Sequence, residues 1–278
     1  MEEVTLPTEL ESVGQGAFLG CSKLQKVGLP NGVSSIGKQA FAFCSELASV
    51  ELNDGLTALE DGTFTGCRAL ETIRLPDTMV TVGERAFQGC ASLRSVYLPR
   101  GLQTIESRAF DGCALKSISF PYRMLQIGER AFANGRELET VIMPEAKAQI
   151  GAGVFSGCQA LSVLVIPEGI LFPMRKKKRW KVPETAQIIY RSELELSQLF
   201  AEWSSGDMTT ERRGKLRQEI RERIKTLKKR NRLHSTEPIR ENLQKVAQAV
   251  EEQTLAAKDS AVEPETSEFD EEDANQNS

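Results

Sequence analysis

The chain carries a single histidine, His234, in 278 residues. It sits in a polar linker between helical patterns, so a His-based catalytic triad is not expected, and a single histidine excludes multi-histidine metal sites. There is no glycine-rich phosphate loop and no dinucleotide fingerprint, because the glycines fall at regularly spaced turns. No run approaches the roughly 18 apolar residues that a membrane-spanning helix needs, so none is expected. The first residues, Met1 to Pro7, form neither a basic stretch nor an apolar one, so no signal peptide is expected and a cytoplasmic location is. The chain also opens part-way through a repeat unit, as a fragment would. In that case an extracellular or cell-surface location is expected instead. Aromatic residues are scarce, at 6% of the total, which makes their placement informative.

Charge is uneven. Residues 1–165 hold 14 basic and 18 acidic side chains, 166–245 hold 20 and 11, and 246–278 hold 1 and 10. Segments that differ this much separate a folded body from interacting arms or tails.

Six cysteines are present, but their spacing is not that of a disulfide framework. Cys21, Cys44, Cys67, Cys90 and Cys113 recur every 23 residues, and Cys158 follows 45 residues after Cys113, which is two periods less one residue. Strict periodicity in one residue type marks a repeat architecture. Seven copies align on the pattern L-P-x-x-ϕ-x-x-ϕ-x-x-x-A-F-x-G-C-x-x-L-x-x-ϕ-x, where ϕ is aliphatic. Phe18, Phe41, Phe64, Phe87, Phe110, Phe132 and Phe155 hold one slot throughout. The fifth copy is one residue short, and the sixth lacks the Gly-Cys pair, reading Asn134-Gly135-Arg136 there. Each unit is too small to bury its own apolar face. Stacking lets phenylalanine, leucine and cysteine of neighbouring units form one continuous core. The end of each unit, such as Leu24 to Leu29, alternates inward and outward residues as a short strand does. Leu-Pro ends that strand, a turn follows, and the Ala-Phe-x-Gly-Cys stretch returns along the opposite side.

This pattern, over about 165 residues, resembles the BspA-like class of leucine-rich repeats. The resemblance implies a solenoid with short parallel strands on its concave face and an irregular or short-helical convex face. It also implies a protein-binding role. Many members carry an export signal, and this chain departs from them there.

The cysteines lack the close clustering of zinc ligands, so they are read as small buried hydrophobes, and no metal or cofactor is expected. Outward strand positions run Glu3/Thr5, Lys26/Gly28, Ser49/Glu51, Thr72/Arg74, Ser95/Tyr97, Ser117/Ser119, Thr140/Ile142 and Val163/Val165. Glu3 and Glu51 are the only acids among them, two coils apart, so a catalytic carboxylate pair is not expected. The candidate partner-binding residues are Lys26, Glu51, Arg74, Tyr97, Ile142, Val163 and Val165. The last three are apolar where a solvated strand carries polar groups, which implies a partner or a cover. Residues 170–190, with Ile170, Leu171, Phe172, Trp180, Val182, Ile188, Ile189 and Tyr190, are the expected cover.

After the solenoid (1–168) the sequence predicts a capping and basic connector (169–191), a helical arm (192–252) and a disordered acidic tail (253–278). The connector holds Arg175, Lys176, Lys177, Lys178, Arg179 and Trp180, a basic cluster suited to phosphates, lipid or an acidic protein, or a solvated link with Trp180 packed on the solenoid end. In the arm, Leu196, Leu199, Phe200 and Trp203 share one helical face, as do Leu216, Ile220, Ile224 and Leu227. A non-catalytic protein-binding scaffold is the expected function. The alternatives are a nucleic-acid-associated protein using the basic 174–232 arm and a surface adhesin fragment without its export signal. Oligomeric state has no signature in the sequence.

Overall fold

The structure, a computed structural model, describes residues 3–144, 148–167 and 174–190, together with Lys215, Gln218, Glu219 and Glu222. The chain winds through one coil per repeat and lays down two strands per turn. In chain order these are β1 (Ser12–Val13), β2 (Lys26–Gly28), β3 (Ser35–Ile36), β4 (Ser49–Glu51), β5 (Ala58–Leu59), β6 (Thr72–Arg74), β7 (Thr81–Val82) and β8 (Ser95–Tyr97). They continue with β9 (Thr104–Ile105), β10 (Ser117–Ser119), β11 (Gln126–Ile127), β12 (Thr140–Ile142), β13 (Gln149–Ile150) and β14 (Val163–Ile166), then α1 (Met174–Trp180) and β15 (Gln187–Tyr190). Every strand pairing is parallel.

The register is the repeat period itself. Lys26 faces Ser49, Thr72 faces Ser95, and Ser117 faces Thr140, so residues in the same slot lie side by side. The even-numbered strands together with β15 form one column, with β10-β12-β14-β15 its longest unbroken ladder, and the shorter odd-numbered strands from β1 to β13 form the other. Between the columns the Ala-Phe-x-Gly stretch is held by its own ladder. Phe18, Phe41, Phe64, Phe87, Phe110 and Phe132 each donate a backbone N–H to a carbonyl of the following coil at 2.7–3.1 Å.

The core follows from this register. Six of the seven phenylalanines are buried, and Phe18 on the first coil is half-buried. The rings from Phe18 to Phe132 stack face to face with centroids 5.1–5.5 Å apart, and Phe155 tilts against Phe132 at 6.5 Å. That spacing is the coil-to-coil rise, near the ~4.8 Å strand separation, and it turns scarce aromatics into one continuous spine. The cysteines flank the spine. Each of Cys44, Cys67, Cys90, Cys113 and Cys158 donates its thiol to the carbonyl of the phenylalanine 26 residues earlier, at 3.0–3.2 Å. A thiol fits this slot because it is small, apolar and still able to donate one weak hydrogen bond across coils.

Two coils depart from the others in one slot, with Phe43 and with Asn134 (φ 57°). Phe43 takes a left-handed backbone conformation, φ 60°, where Gly20, Gly66, Gly89, Gly112 and Gly157 do the same without a side chain to clash. A Cβ on Gly66 would lie 2.7 Å from the Phe43 ring, so the next coil needs glycine there.

The solenoid extends past residue 168. β15 pairs with β14 over four residues, from Val163 with Gln187 to Ile166 with Tyr190. On the opposite side Gly153 and Phe155 donate to the carbonyls of Arg179 and Trp180. Residues 174–190 therefore add a further coil, and a short helix replaces the expected connector. The last turn of α1 carries Lys177, Lys178 and Arg179, which suits the negative end of the helix dipole. Trp180 and Val182 are buried in the main core. The helical arm of 192–252 and the acidic tail of 253–278 lie outside the described residues, apart from Lys215, Gln218, Glu219 and Glu222, which are helical and exposed.

Candidate protein-binding face

The outer face of the even-numbered strands is where side chains differ from coil to coil. At its start, β2 and β4 present exposed side chains on either side of a buried valine. Lys26 and Glu51 meet across these strands at 3.1 Å, both well exposed. Two coils further on, Arg74 and Tyr97 lie side by side on β6 and β8. The Arg74 guanidinium sits 5.8 Å from the centre of the Tyr97 ring, a cation–π distance. Asp77, from the turn after β6, closes the group. It accepts the Tyr97 hydroxyl at 3.3 Å and lies 3.9 Å from the Arg74 guanidinium. Partial burial and the Asp77 carboxylate raise the Tyr97 pKa, so the hydroxyl stays a donor. Lys26, Glu51, Arg74 and Tyr97 thus form two neighbouring polar clusters on one surface. Sequence reasoning missed Asp77. Its position after Leu75-Pro76 marks a turn, and the turn places it against the strand one coil away.

The other three candidates are not surface. Ile142, Val163 and Val165 are buried and cluster with Ile189 of β15. They are corrected here from contact residues to a second small core. The physical reason is that the strand face closes progressively along the chain. Its outward positions pass from exposed on β2 and β4, to half-buried on β8, to fully buried on β12 and β14.

The basic cluster is also only partly available. Lys178 and Arg179 are exposed and Lys176 is half-exposed. Lys177 is buried, donates to the Glu184 carbonyl at 2.9 Å and lies 3.7 Å from the Glu184 carboxylate. Lys177 and Trp180 therefore fasten the final coil and are corrected from binding to positioning residues. Arg175 lies in α1.

Chemistry elsewhere among the described residues is sparse. No group of three or more His, Cys, Asp or Glu side chains is arranged to hold a metal ion. Burial raises the thiol pKa of Cys44 to about 11 and of Cys158 to about 12, which suppresses thiolate nucleophiles. On the opposite side of the coil Lys38 and Asp61 pair at 2.7 Å, which raises the lysine pKa and lowers that of the aspartate. No helix among the described residues is long and apolar enough to cross a membrane.

Two parallel strand columns around a phenylalanine spine, repeated every 23 residues, define a leucine-rich-repeat solenoid. The model of the BspA-type leucine-rich repeat region matches residues 1–99 and 57–172, in six copies, and the chain belongs to that family. Among solved structures, the leucine-rich repeat protein TpLRR of T. pallidum is 32% identical, with a TM-score of 0.57 over 66% of this chain and 86% of that one. A leucine-rich repeat protein from Bacteroides ovatus is 21% identical, with a TM-score of 0.34 over 66% of this chain and 76% of its own. A leucine-rich cell surface protein from Faecalibacterium prausnitzii is likewise 21% identical, with a TM-score of 0.42, covering 68% and 79%. No curated protein matches the chain.

Proposed function

We propose that the protein is a non-catalytic scaffold that binds a protein partner on the outer strand face, over the coils that carry Lys26, Glu51, Arg74, Tyr97 and Asp77. The observation that supports this is the Arg74–Tyr97–Asp77 cluster beside the Lys26–Glu51 pair. Arginine and tyrosine are the side chains that most often anchor protein interfaces, and here the ring and guanidinium hold each other in place before a partner arrives. Membership in a leucine-rich repeat family supports the same reading. The test is affinity capture from the native cell with the wild-type chain and with Tyr97→Ala and Arg74→Glu variants. A partner retained by wild type and lost by both variants supports the reading. Equal recovery by all three sinks it.

A second reading, nucleic-acid association through residues 174–232, draws support from the exposed Lys178 and Arg179 and the half-exposed Lys176 on α1. Binding of this kind weakens steeply with salt. Salt-dependent retention on DNA that is lost in a K176E/K178E/R179E chain would favour it over the scaffold reading. Either reading holds in the cytosol and at a cell surface alike.

A further inference from the structure

The rim of the strand face changes sign along the chain. One turn slot holds Asn31, Asp54, Asp77, Arg100 and Tyr122 in successive coils. The turns are equivalent, because Val33, Leu56, Met79, Leu102 and Met124 each donate a backbone N–H to the carbonyl three residues earlier. They also lie against one another: a Cβ on Gly101 would meet the Asp77 carbonyl at 3.3 Å. Glu51, Asp54 and Asp77 make the earlier rim acidic, and Arg100 and Arg123 make the later rim basic. Arg100, Tyr122 and Arg123 are exposed. Tyr122, at 69%, is the most exposed large hydrophobic side chain described. This later rim is continuous with the Arg74–Tyr97–Asp77 cluster, since the Arg100 charge is felt at the Tyr97 hydroxyl, where it opposes Asp77.

The arginines here are short of acceptors. Neither Arg100 nor Arg123 takes part in an ion pair among the described residues. Arg74 reaches Asp77 only at 3.9 Å, and its Nε is buried with no hydrogen-bond partner. A guanidinium carries five N–H donors in a planar fork that matches a carboxylate. Asp77, the acid among them, is already engaged by Tyr97 and Arg74.

We propose that the partner presents an acidic, extended segment to this rim, with carboxylates on Arg74, Arg100 and Arg123 and the chain between them flanked by Tyr97 and Tyr122. The assignment rests on the scaffold reading and names the chemistry of its partner. Alternate side chains of an extended segment fall on one face about 7 Å apart. The coils repeat at the 5.1–5.5 Å of the stacked rings, and long arginine side chains absorb the difference. The two tyrosines add contact area at low entropic cost, having few rotatable bonds to fix. Glu51 and Asp54 repel an acidic chain, so they end its track and leave the Lys26–Glu51 pair to the remainder of the partner.

The test measures fluorescence anisotropy of a labelled alternating glutamate–serine peptide against the full chain at low ionic strength. Lysine–serine and glutamine–serine peptides and an oligothymidine are the controls. The acidic peptide is expected to bind in preference to all three. The R100E/R123E chain is expected to lose about tenfold or more of that affinity, because it replaces attraction by repulsion at exposed sites that leave the spine untouched. The R100Q/R123Q chain is expected to lose less, and the K178E/R179E chain nothing. Unchanged far-ultraviolet circular dichroism checks that each variant is folded. No preference for the acidic peptide, equal binding by R100E/R123E, or tighter binding of oligothymidine lost in that same variant would overturn the proposal. Affinity capture by R100E/R123E separates it from the scaffold reading. A cellular partner lost with Tyr97→Ala but kept by R100E/R123E leaves the scaffold standing and removes the acidic segment.

Discussion

The strand sheet divides into halves with the same interior and opposite exteriors. From β2 to β8 the inward slot holds Val27, Val50, Ile73 and Val96, and from β10 to β14 it holds Ile118, Val141 and Leu164, all buried. Outward, the first half shows Lys26, Glu51, Arg74 and Tyr97 to solvent, and the second buries Thr140, Ile142, Val163 and Val165. The difference teaches that stacking constrains only what faces the spine. Each coil must repeat its neighbour's inward side chains to continue the core, while its outward side chains are free to vary, polar and solvent-facing in one half and largely apolar and buried in the other.

A charge placed in the same outward slot of each half tests this most severely. Val163→Asp buries a carboxylate with no partner. Its pKa rises by several units, which at neutral pH costs about 4 kcal/mol or more. Because the folded pKa lies above the unfolded one, the penalty is present at pH 7 and fades as pH falls toward about 4. Ser49→Asp, two residues from Glu51 on an exposed strand, is expected to change stability by less than about 0.5 kcal/mol. Urea denaturation of both variants is the check, and equal effects would break the comparison.

The interior is predicted to behave alike in both halves and to weaken only at its open end. Phe87 is stacked on both faces, against Phe64 at 5.5 Å and Phe110 at 5.1 Å. Phe87→Ala is expected to cost about 3–4 kcal/mol, as large-to-small changes in tight cores do. Phe18 has one stacked neighbour, Phe41, and is half-buried, so Phe18→Ala is expected to cost roughly half as much. Chemical denaturation curves for the two variants give the ratio.

The thiol column gives a smaller effect with a defined pH sign. Cys67→Ala removes a buried sulfur and its bond to the Phe41 carbonyl, an expected loss of about 1–2 kcal/mol. The folded pKa of Cys44 lies near 11, above that of an unfolded thiol, so the folded state favours the protonated form. Its contribution is complete below about pH 9 and is lost as pH rises through about 11. The fall in stability across that window is expected to be shallower in Cys44→Ala than in wild type. A thiol-specific disulfide reagent at pH 8 is expected to label half-buried Cys21 rapidly and the five buried cysteines only on unfolding.

Much of the spine was legible from sequence, because identical coils must place identical residues and period alone therefore locates Phe41 to Phe155 in the core. The acceptor of each thiol was not. Spacing shows that Cys67 recurs but not that Phe41 turns its carbonyl toward it. The last coil was hidden for a different reason. α1 and β15 lack the Phe and Cys slots, yet backbone hydrogen bonds accept any side chain, so the winding continues where the pattern stops. At the candidate site, Arg74 and Tyr97 were legible as outward strand residues. Asp77 was not, because its role depends on a turn carrying it to the neighbouring coil. Ile142, Val163 and Val165 were legible as anomalies, and only burial decided which kind.

The smallest expected effect sharpens the comparison from the open side. Lys26 and Glu51 pair at 3.1 Å with side chains 54% and 67% exposed. Exposed pairs of this kind couple by about 0.2–1 kcal/mol, less as salt screens them. A double-mutant cycle with Lys26→Met and Glu51→Gln should therefore give a coupling in that range at low ionic strength and near zero at high salt. A coupling well above it would mean that the open half also carries the fold. With the small value, a loss of partner capture by Glu51→Gln reports recognition rather than unfolding, because the coils beneath it are held by the spine and not by the charges above.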